Sequence, residues 1–441
     1  MPSHGASADA SIDPTVQRRT VRTLVGSQVL GGIGVSSGIA VGSLLAEEIL
    51  GSADLAGLGG TFQVLGGALI AIPMARVMAA RGRRPGLVLG LTLGIAGALV
   101  LTASGVLSSF ALLLLGSALF GGATATNSQA RYAAADLAED RHRGRDLSVV
   151  VWATTIGAVL GPNLIGLAGA LARTMGLPSL TGPFLFSLVG FVLAAVLLAA
   201  RLRPDPLLLA RARERANAEA LEPATPHEPL EAQKPHGSVV RGLRVAARTP
   251  AAALGLVTVA LGHAVMVSVM VMTPLHMHHG GAELRVIGLV ISIHILGMFA
   301  FSPLVGLAVD RFGARPLVLL ASGVLVAAAL LAAQAPTGWS AGLTVALFLL
   351  GLGWSGTLVS GSTLIAGAVP VAERAGVQGA SDLAMGLAAG GGGALAGVVV
   401  AQLGYGVLGL GAAALAAAIA VAALLLRPAR RRQTAAPTTV R

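Results

Sequence analysis

The chain has 441 residues, of which 55% are hydrophobic and 11% charged, with 60 glycines, no cysteine and a formal net charge of +11. Because a soluble domain carries roughly 25% charged residues, the long uncharged blocks exclude a soluble globular protein and indicate one embedded in a membrane. The lack of cysteine excludes disulfides and thiolate metal sites, and the positive charge is spread over many loops rather than gathered in the stripe that a nucleic-acid partner requires.

Twelve apolar runs are long enough to cross a bilayer, since a hydrocarbon core of ~30 Å needs about 20 helical residues. The first run, Leu24 to Leu45, is longer than the apolar core of a signal peptide, so we interpret it as a retained first helix. We therefore predict an all-α membrane protein with twelve transmembrane helices. The predicted spans are centred near Ser36, Gly67, Ala96, Leu119, Leu160, Phe191, Ala264, Ile295, Val326, Gly353, Gly391 and Ala416.

A polar, proline-containing segment separates the first six predicted spans from the last six. Within it, Leu207 to Leu221 is typical of a helix on the membrane surface, and the remainder is typical of a flexible connection. The predicted parts are an N-terminal tail at residues 1–22, an N-terminal six-helix bundle at 23–201, a linker at 202–250, a C-terminal six-helix bundle at 251–427 and a C-terminal tail at 428–441.

The arginines of the predicted loops orient the chain. With the amino terminus in the cytoplasm, the inside loops carry the clusters around Arg83, Arg143 and Arg311, and the outside loops carry only Arg173 and Arg285. The positive-inside rule predicts this asymmetry. We expect a multi-pass protein of the cytoplasmic (cell inner) membrane with both termini in the cytoplasm, anionic lipid headgroups as counter-charge and no nucleic-acid partner.

Several polar or titratable residues of the predicted spans are candidates to bind a solute or a proton. An imidazole has an ordinary pKa of about 6.5 and can load and release protons, although a neutral histidine bonded to a neighbouring helix is the alternative. Methionine thioethers adapt to irregular apolar ligands. The candidates are Gln28, Ser36 and Glu47 in the first span, His263, Met266, Met270 and Thr273 in the seventh, His294 in the eighth and Trp354 in the tenth.

The two halves repeat several local patterns, as many secondary transporters do. Asp146 and Asp382 each precede a leucine just before a glycine-rich helix, and similar basic loops follow the second and eighth spans. In the second of these loops an acid at a helix end is suited to accept bonds from the free N–H groups of a neighbouring helix start, which would form a gate; a solvated helix end is the alternative. The loop residues are Gly82, Arg83 and Arg84 in the first half and Gly306, Asp310, Arg311, Gly313 and Arg315 in the second.

These loops resemble the signature of the major facilitator superfamily, in which Gly, three residues, Asp, Arg, one residue, Gly and basic residues join the second and third spans. In this sequence the second-half copy is the fuller one, because Ala75 and Ala79 stand where the first-half copy should have Gly and Asp. The resemblance covers nearly the whole chain and implies two pseudo-symmetric bundles around a central cavity lined by the first and seventh spans. It also implies that Asp310 caps the start of the fifth span near Asp146 and that the counterpart at the eleventh span is weak.

The fifth span contains "GAVLGPNLIG", with Gly157, Gly161, Pro162 and Gly166. This stretch is similar to the antiporter signature of the drug:proton branch, except that Ile165 replaces the first glycine of the final pair. The glycines form a smooth strip and the proline bends the helix. Ordinary close packing between helices is the alternative interpretation.

Taken together, these features predict a secondary transporter that exports a small hydrophobic or amphiphilic solute in exchange for protons, as a monomer and without a cofactor. Proton-coupled or facilitated uptake of a small nutrient is the alternative. The sequence shows no P-loop, sensor domain or pore filter, which argues against a receptor or channel, and no nucleophile or metal set for an enzyme. His276, His278 and His279 lack a nearby acid and are more typical of a membrane interface than of a metal site.

Overall fold

The computed structural model describes residues 14–51, 55, 57–221 and 237–426. Over these residues it consists of α-helices and two single-turn 3-10 helices, without β-strands, which confirms the predicted all-α class. The helices are α1 (Pro14–Leu50), α2 (Leu58–Arg81), α3 (Arg83–Val106), α4 (Phe110–Ala135), α5 (Arg143–Asn163), α6 (Ile165–Thr174), α7 (Gly182–Arg201), α8 (Pro206–Leu221), α9 (Val239–Arg248), α10 (Pro250–His279), α11 (Leu284–Phe299), α12 (Ser302–Phe312), α13 (Ala314–Ala333), α14 (Ala341–Ala368), α15 (Val371–Leu403) and α16 (Tyr405–Leu425).

Within the described residues, eleven spans are long and apolar enough to cross a membrane, and a bent helix pair makes a twelfth. The bent pair is α5 and α6, which meet at 56° around Leu164 because a proline at position 162 disrupts the helical hydrogen bonds there. The eighth span, Arg285–Phe312, is also interrupted, where α12 begins afresh with Pro303 in its first turn. Each predicted span centre falls inside one of these helices.

The ends and the linker differ from the sequence prediction. Helix α1 already includes Pro14 to Arg22, which we assigned to the tail, whereas residues 1–13 and 428–441 lie outside the described residues. Helix α8 matches the predicted surface helix. Helix α9, however, occupies linker residues predicted to be flexible, because Ser238 caps its start and Val239, Gly242 and Ala246 form a buried stripe against α15.

Within each bundle, small residues allow the helix backbones to approach closely. Gly97 of α3 lies against α4, where an added Cβ would be 2.7 Å from the Phe120 Cα and 2.8 Å from the Gly116 carbonyl oxygen. We expect Gly97→Val to destabilise the protein by about 1–3 kcal/mol because the two backbones must separate. The thermal midpoint in detergent measures this loss. Gly323→Val on α13 is the matched control, because no other helix in the described part of the chain lies within 4 Å of the added Cβ. An equal loss in both variants would contradict the explanation.

The two bundles meet at the end of the molecule where the α2–α3, α4–α5 and α12–α13 connections lie, which we call the arginine-rich end. Helix α2 packs on α15 and helix α5 packs on α12. The contacts involve small residues: a Cβ on Gly379 would lie 2.7 Å from that of Ala75, and a Cβ on Gly386 would lie 2.7 Å from that of Ala68. These contacts close the arginine-rich end and leave a cavity between the bundles nearer the opposite end.

Candidate functional site

The cavity between the bundles has a volume of about 240 Å³. Its lining runs along α2 from Gly60, near the first residue of that helix, to Ala68. Most of the wall is apolar, and a few polar side chains converge on it, which is the usual character of a small-molecule site. The polar lining residues are Gln63, Thr124, Ser128, His263 and Asp382, and the others are Ile39, Gly60, Val64, Gly67, Ala68, Ala125, Met385, Gly386 and Ala389.

An ion pair between the bundles lies at the floor of this cavity. Arg131 on α4 donates from Nη2 to Asp382 Oδ1 on α15 at 2.8 Å, and both side chains are only 4% exposed. Gln129 donates to the other carboxylate oxygen of Asp382 at 2.6 Å, and Arg131 Nε donates to Ser362. Removing one partner of such a buried pair leaves an uncompensated charge, so each bundle depends on a charge that the other bundle supplies.

A second buried pair continues this network towards the arginine-rich end. Arg83, which is fully buried, contacts Asp136 with Nε to Oδ2 at 2.7 Å and donates to Gln129 Oε1 at 3.2 Å. Its other terminal nitrogen donates to Gln378 of the second bundle, and Arg374 lies 3.7 Å from Asp136. The polar chain Asp136–Arg83–Gln129–Asp382–Arg131 therefore runs without a break from the closed end to the cavity floor.

At the other contact between the bundles, Asp310 caps the start of α5. Its two carboxylate oxygens accept from the backbone N–H groups of Gly144 at 2.7 Å and Arg145 at 2.8 Å. The capped residues immediately precede Asp146, the region where the sequence resemblance put the cap. Gly306 permits the approach, since a Cβ there would clash with Ser148 Oγ and the Gly144 carbonyl. That this contact works as a gate stays a prediction.

The remaining loop candidates have contacts within one bundle. Asp146 accepts from Gln17 at 2.7 Å, and Arg315 donates to the Ala423 carbonyl at 2.6 Å. Arg311 lies 5.5 Å from the ring of its neighbour Phe312. Gly82 and Gly313 have φ angles of 93° and 89°, which glycine adopts readily in tight turns.

The first-half loop has Ala79 where the family pattern has an aspartate, and a different aspartate, Asp205, binds to this loop. Asp205 accepts from the backbone N–H groups of Arg83 and Arg84 at the start of α3. Where α2 meets α15, packing of alanine on glycine and the Arg83–Gln378 bond replace a carboxylate cap. The weak counterpart that the resemblance implied concerns a cap at the start of α15, which has no side-chain cap among the described residues, whereas the packing of α2 on α15 is close.

The two candidate histidines have different surroundings. His263 lines the cavity, and its Nδ1 accepts a hydrogen bond of 2.7 Å from Trp354 Nε1, so the ring is neutral in this arrangement and carries its proton on Nε2. His294 is buried outside the cavity lining, and its Nδ1 donates to the Leu347 carbonyl at 2.8 Å. This bond fits the alternative interpretation of His294, in which a neutral imidazole joins two helices.

The other candidates on the first and seventh spans do not line the cavity. Met266 and Met270 belong to the hydrophobic core of the second bundle, and Thr273 bonds to Tyr405 Oη at 2.8 Å. At about 100° per residue these three side chains and His263 share one arc of α10, but His263 lies at the edge of that arc and only this edge reaches the cavity. Gln28 donates to Thr154 of α5, and Glu47 is exposed.

The antiporter-like stretch packs against α1. Ser36 donates to the Gly157 carbonyl at 2.6 Å, and a Cβ on Gly161 would clash with Ser36 Oγ. Within the described residues, no neighbouring helix comes within 4 Å of a Cβ on Gly166, and the placement of the Pro162 side chain lies outside what the structure describes. The contacts of Gly157 and Gly161 thus favour close helix packing.

Sequence reasoning missed most of the cavity wall and the role of Arg131 as a partner. Arg131 lies four residues before Ala135, the last residue of α4. Helix α15 has 33 residues, however, so Asp382 lies about 16 Å from its first residue at 1.5 Å per residue. A buried pairing of Arg131 with Asp382 was not detectable from one sequence, because the two residues are 251 positions apart.

Comparisons with known proteins cover almost the whole chain. Residues 24–284 and 259–441 match the family model of the Major Facilitator Superfamily. An uncharacterised MFS-type transporter of Bacillus subtilis, YdeG, is 37% identical over 90% of this chain and 89% of its own length. The riboflavin transporter RfnT of Brucella anthropi is 26% identical over 85% of this chain and 87% of its own. The solved structure of the proton:xylose symporter XylE shares the fold with a TM-score of 0.70 at 16% identity, over 93% of this chain and 95% of that one.

Proposed function

This chain belongs to the major facilitator superfamily of secondary transporters and is not an enzyme, and from that premise we propose that it exports a small amphiphilic solute across the cytoplasmic membrane in exchange for protons. The observation that carries the proposal is the ion pair between Arg131 and Asp382, which joins the two bundles at the floor of the cavity. A titratable group that both faces a solute cavity and holds the bundles together can link proton binding to a change of conformation.

The orientation follows from the loop arginines. The positive-inside rule puts the arginine-rich end in the cytoplasm, so the contacts of α2 with α15 and of α5 with α12 form the inner gate and the cavity faces outward. Alternating access then requires three contacts between the bundles to break in each cycle: Arg131 with Asp382, Arg83 with Gln378, and Asp310 with the start of α5.

Asp382 is the group that we assign to the proton. When it is ionised, its carboxylate balances Arg131 and accepts from Gln129 across the gap between the bundles. A proton that arrives from the outer side neutralises Asp382, and the remaining bonds are weaker because a neutral acid no longer balances the guanidinium. The inner gate opens, the proton leaves to the cytoplasm, and the solute enters the cavity for the outward return.

The cavity wall supports an amphiphilic solute. Apolar and small residues form most of it, while Gln63, Thr124 and Ser128 offer hydrogen bonds along one side. The neutral His263 offers an N–H group at Nε2, since its Nδ1 is used by Trp354. We therefore assign His263 to solute recognition rather than to proton transfer.

Transport of ethidium, an amphiphilic cation, into everted membrane vesicles tests the proposal. We expect accumulation that depends on an acidic vesicle interior and collapses on addition of a protonophore. Accumulation that is equal with and without the pH gradient would exclude proton coupling, and conductance without saturable transport would indicate a channel.

His263→Ala is expected to raise the KM for the transported solute about tenfold, because one buried hydrogen bond of about 1.4 kcal/mol is lost. The maximal rate and its dependence on the pH gradient should change little. His279→Ala is the matched control, since His279 is exposed at the far end of α10. A His263 variant that transports solute normally but ignores the pH gradient would instead make this histidine the proton carrier.

Uptake of a nutrient is the second candidate, and a relative whose name gives a nutrient as its solute supports the solute class. The Brucella protein is a riboflavin transporter, and riboflavin is itself a small heterocycle with a polar side chain. Riboflavin added outside vesicles of native orientation provides the comparison. Saturable riboflavin entry that follows inward proton flow, with no ethidium accumulation in everted vesicles, would replace export by uptake.

A further inference from the structure

We propose that the arginine-rich end holds a phospholipid headgroup in a cavity of about 470 Å³, separate from the cavity between the bundles. This cavity lies between the first turns of α1, the α4–α5 connection, the first turns of α5, and α8. Nine of the 13 residues that line it are polar or charged, whereas the wall of the central cavity is mostly apolar. The inference depends on the membrane orientation but not on the identity of the solute or on proton coupling.

The charge of this cavity selects an anion. Five arginines and one histidine line it, against two carboxylates. Both carboxylates already have partners: Glu139 is 2.7 Å from Arg141, and Asp146 accepts from Gln17 and Arg145. The cavity therefore keeps an excess of positive charge after its internal pairs are formed.

Arg18 and Arg22 carry most of this excess. They lie one turn apart on the same face of α1, both are exposed, and within the described part of the chain neither has a hydrogen-bond or ion-pair partner. Like charges at this spacing repel each other and weaken a helix. A phosphate bound between the two guanidiniums would remove that repulsion and form bidentate hydrogen bonds.

The position of the cavity favours a lipid as the source of the phosphate. Arg18 and Arg22 stand just before the apolar part of α1, at the level of the headgroups. They also line an adjoining cavity of about 350 Å³, which is bounded by Leu197 and Arg201 at the end of the α7 span. Two adjoining basic cavities fit a lipid with two phosphates, and basic pockets at this level are known to suit such headgroups.

Occupancy of this site would act on the inner gate. Arg145 lines the cavity with its side chain, while its backbone N–H group donates to Asp310 of the second bundle. A headgroup that fixes the α4–α5 connection against α1 would hold the start of α5 where Asp310 can cap it. Lipid binding should therefore favour the conformation that is closed at the arginine-rich end.

Native mass spectrometry of the detergent-solubilised full chain with added cardiolipin tests the site. Arg18→Gln together with Arg22→Gln should weaken cardiolipin binding roughly 30-fold, at about a factor of five for each charge near the surface. The control is Arg244→Gln with Arg248→Gln, an exposed pair of the same spacing on α9, which should change binding less than twofold. Both pairs lie on the surface, and unchanged thermal midpoints verify the fold.

Three outcomes would overturn the inference. The first is an equal loss of binding in both double variants, which would mean non-specific attraction to the basic end. The second is equal binding of phosphatidylcholine and cardiolipin. The third is displacement of cardiolipin by inorganic phosphate that binds with an affinity equal to that of cardiolipin, which would identify a site for free phosphate instead of a lipid.

Discussion

Asp382→Asn is expected to abolish transport driven by a pH gradient, with a fall of at least 100-fold. Asparagine has nearly the same shape and can still accept from Gln129, but it cannot take up a proton or balance Arg131. Loss of one member of a buried pair costs about 3–5 kcal/mol, so the inter-bundle tie weakens as well. Proteoliposomes with an imposed pH gradient measure the driven rate, and solute exchange at equal pH measures the rate without coupling.

A double variant separates coupling from stability. Asp382→Asn with Arg131→Gln removes both charges, so the thermal midpoint should recover towards that of the wild type while gradient-driven transport stays absent. Asp140→Asn is the control for loss of a carboxylate, because Asp140 is 81% exposed and pairs with Arg143 at the surface. Gradient-driven transport at the wild-type rate in the double variant would show that Asp382 is not the proton site.

Asp310→Asn is expected to shift the protein towards the state that is open at the arginine-rich end, by roughly tenfold in the ratio of the two states. The amide keeps one acceptor oxygen but turns an N–H donor towards one of the two N–H groups of Gly144 and Arg145. Loss of a cap costs about 0.5–2 kcal/mol. Transport should fall with the population of the outward-facing state.

Spin labels can report this shift directly, because the chain has no cysteine and needs no background substitution. Labels on Arg81→Cys and Arg244→Cys lie at exposed positions, the first on α2 of the N-terminal bundle and the second on the linker helix α9, which packs against α15 of the C-terminal bundle. Their distance distribution should gain a longer component in Asp310→Asn. Arg311→Gln, next to Asp310 and exposed, should leave the distribution unchanged, and a similar broadening in both variants would remove Asp310 as the specific latch.

The sequence was sufficient for the parts of the fold that depend on local chemistry. Apolar length alone located the spans, and the family resemblance of the loop around Asp310 implied a cap at the start of α5. The bend at Leu164 follows a proline in the same stretch. Helix α9 was not predicted because its apolar stripe of Val239, Gly242 and Ala246 is short. Only the packing against α15 shows that this stripe is buried.

The cavity could be predicted less well, because it depends on how two bundles meet. Helix periodicity puts His263 on one face of α10 with Met266 and Met270, yet a rotation of less than one residue decides whether such a face lines a cavity or a core. Asp382 was recognised as part of a repeat, but its partner Arg131 lies on another bundle. Pairings of this kind follow from three-dimensional packing, and no spacing within a single chain encodes them.

The two contacts that close the arginine-rich end differ in kind, and this difference sets an order of events. The bonds of Asp310 to α5 are partly open to solvent, so water can substitute for them one at a time. In the seam of α2 with α15, Ala68 packs on Gly386 and Ala75 packs on Gly379, beside the fully buried Arg83. Because this seam is closed to solvent, water must enter it in a single step. We therefore expect the molecule to part first along α5 and α12, with the hydration of the opposite seam as the slow, rate-limiting event of each cycle.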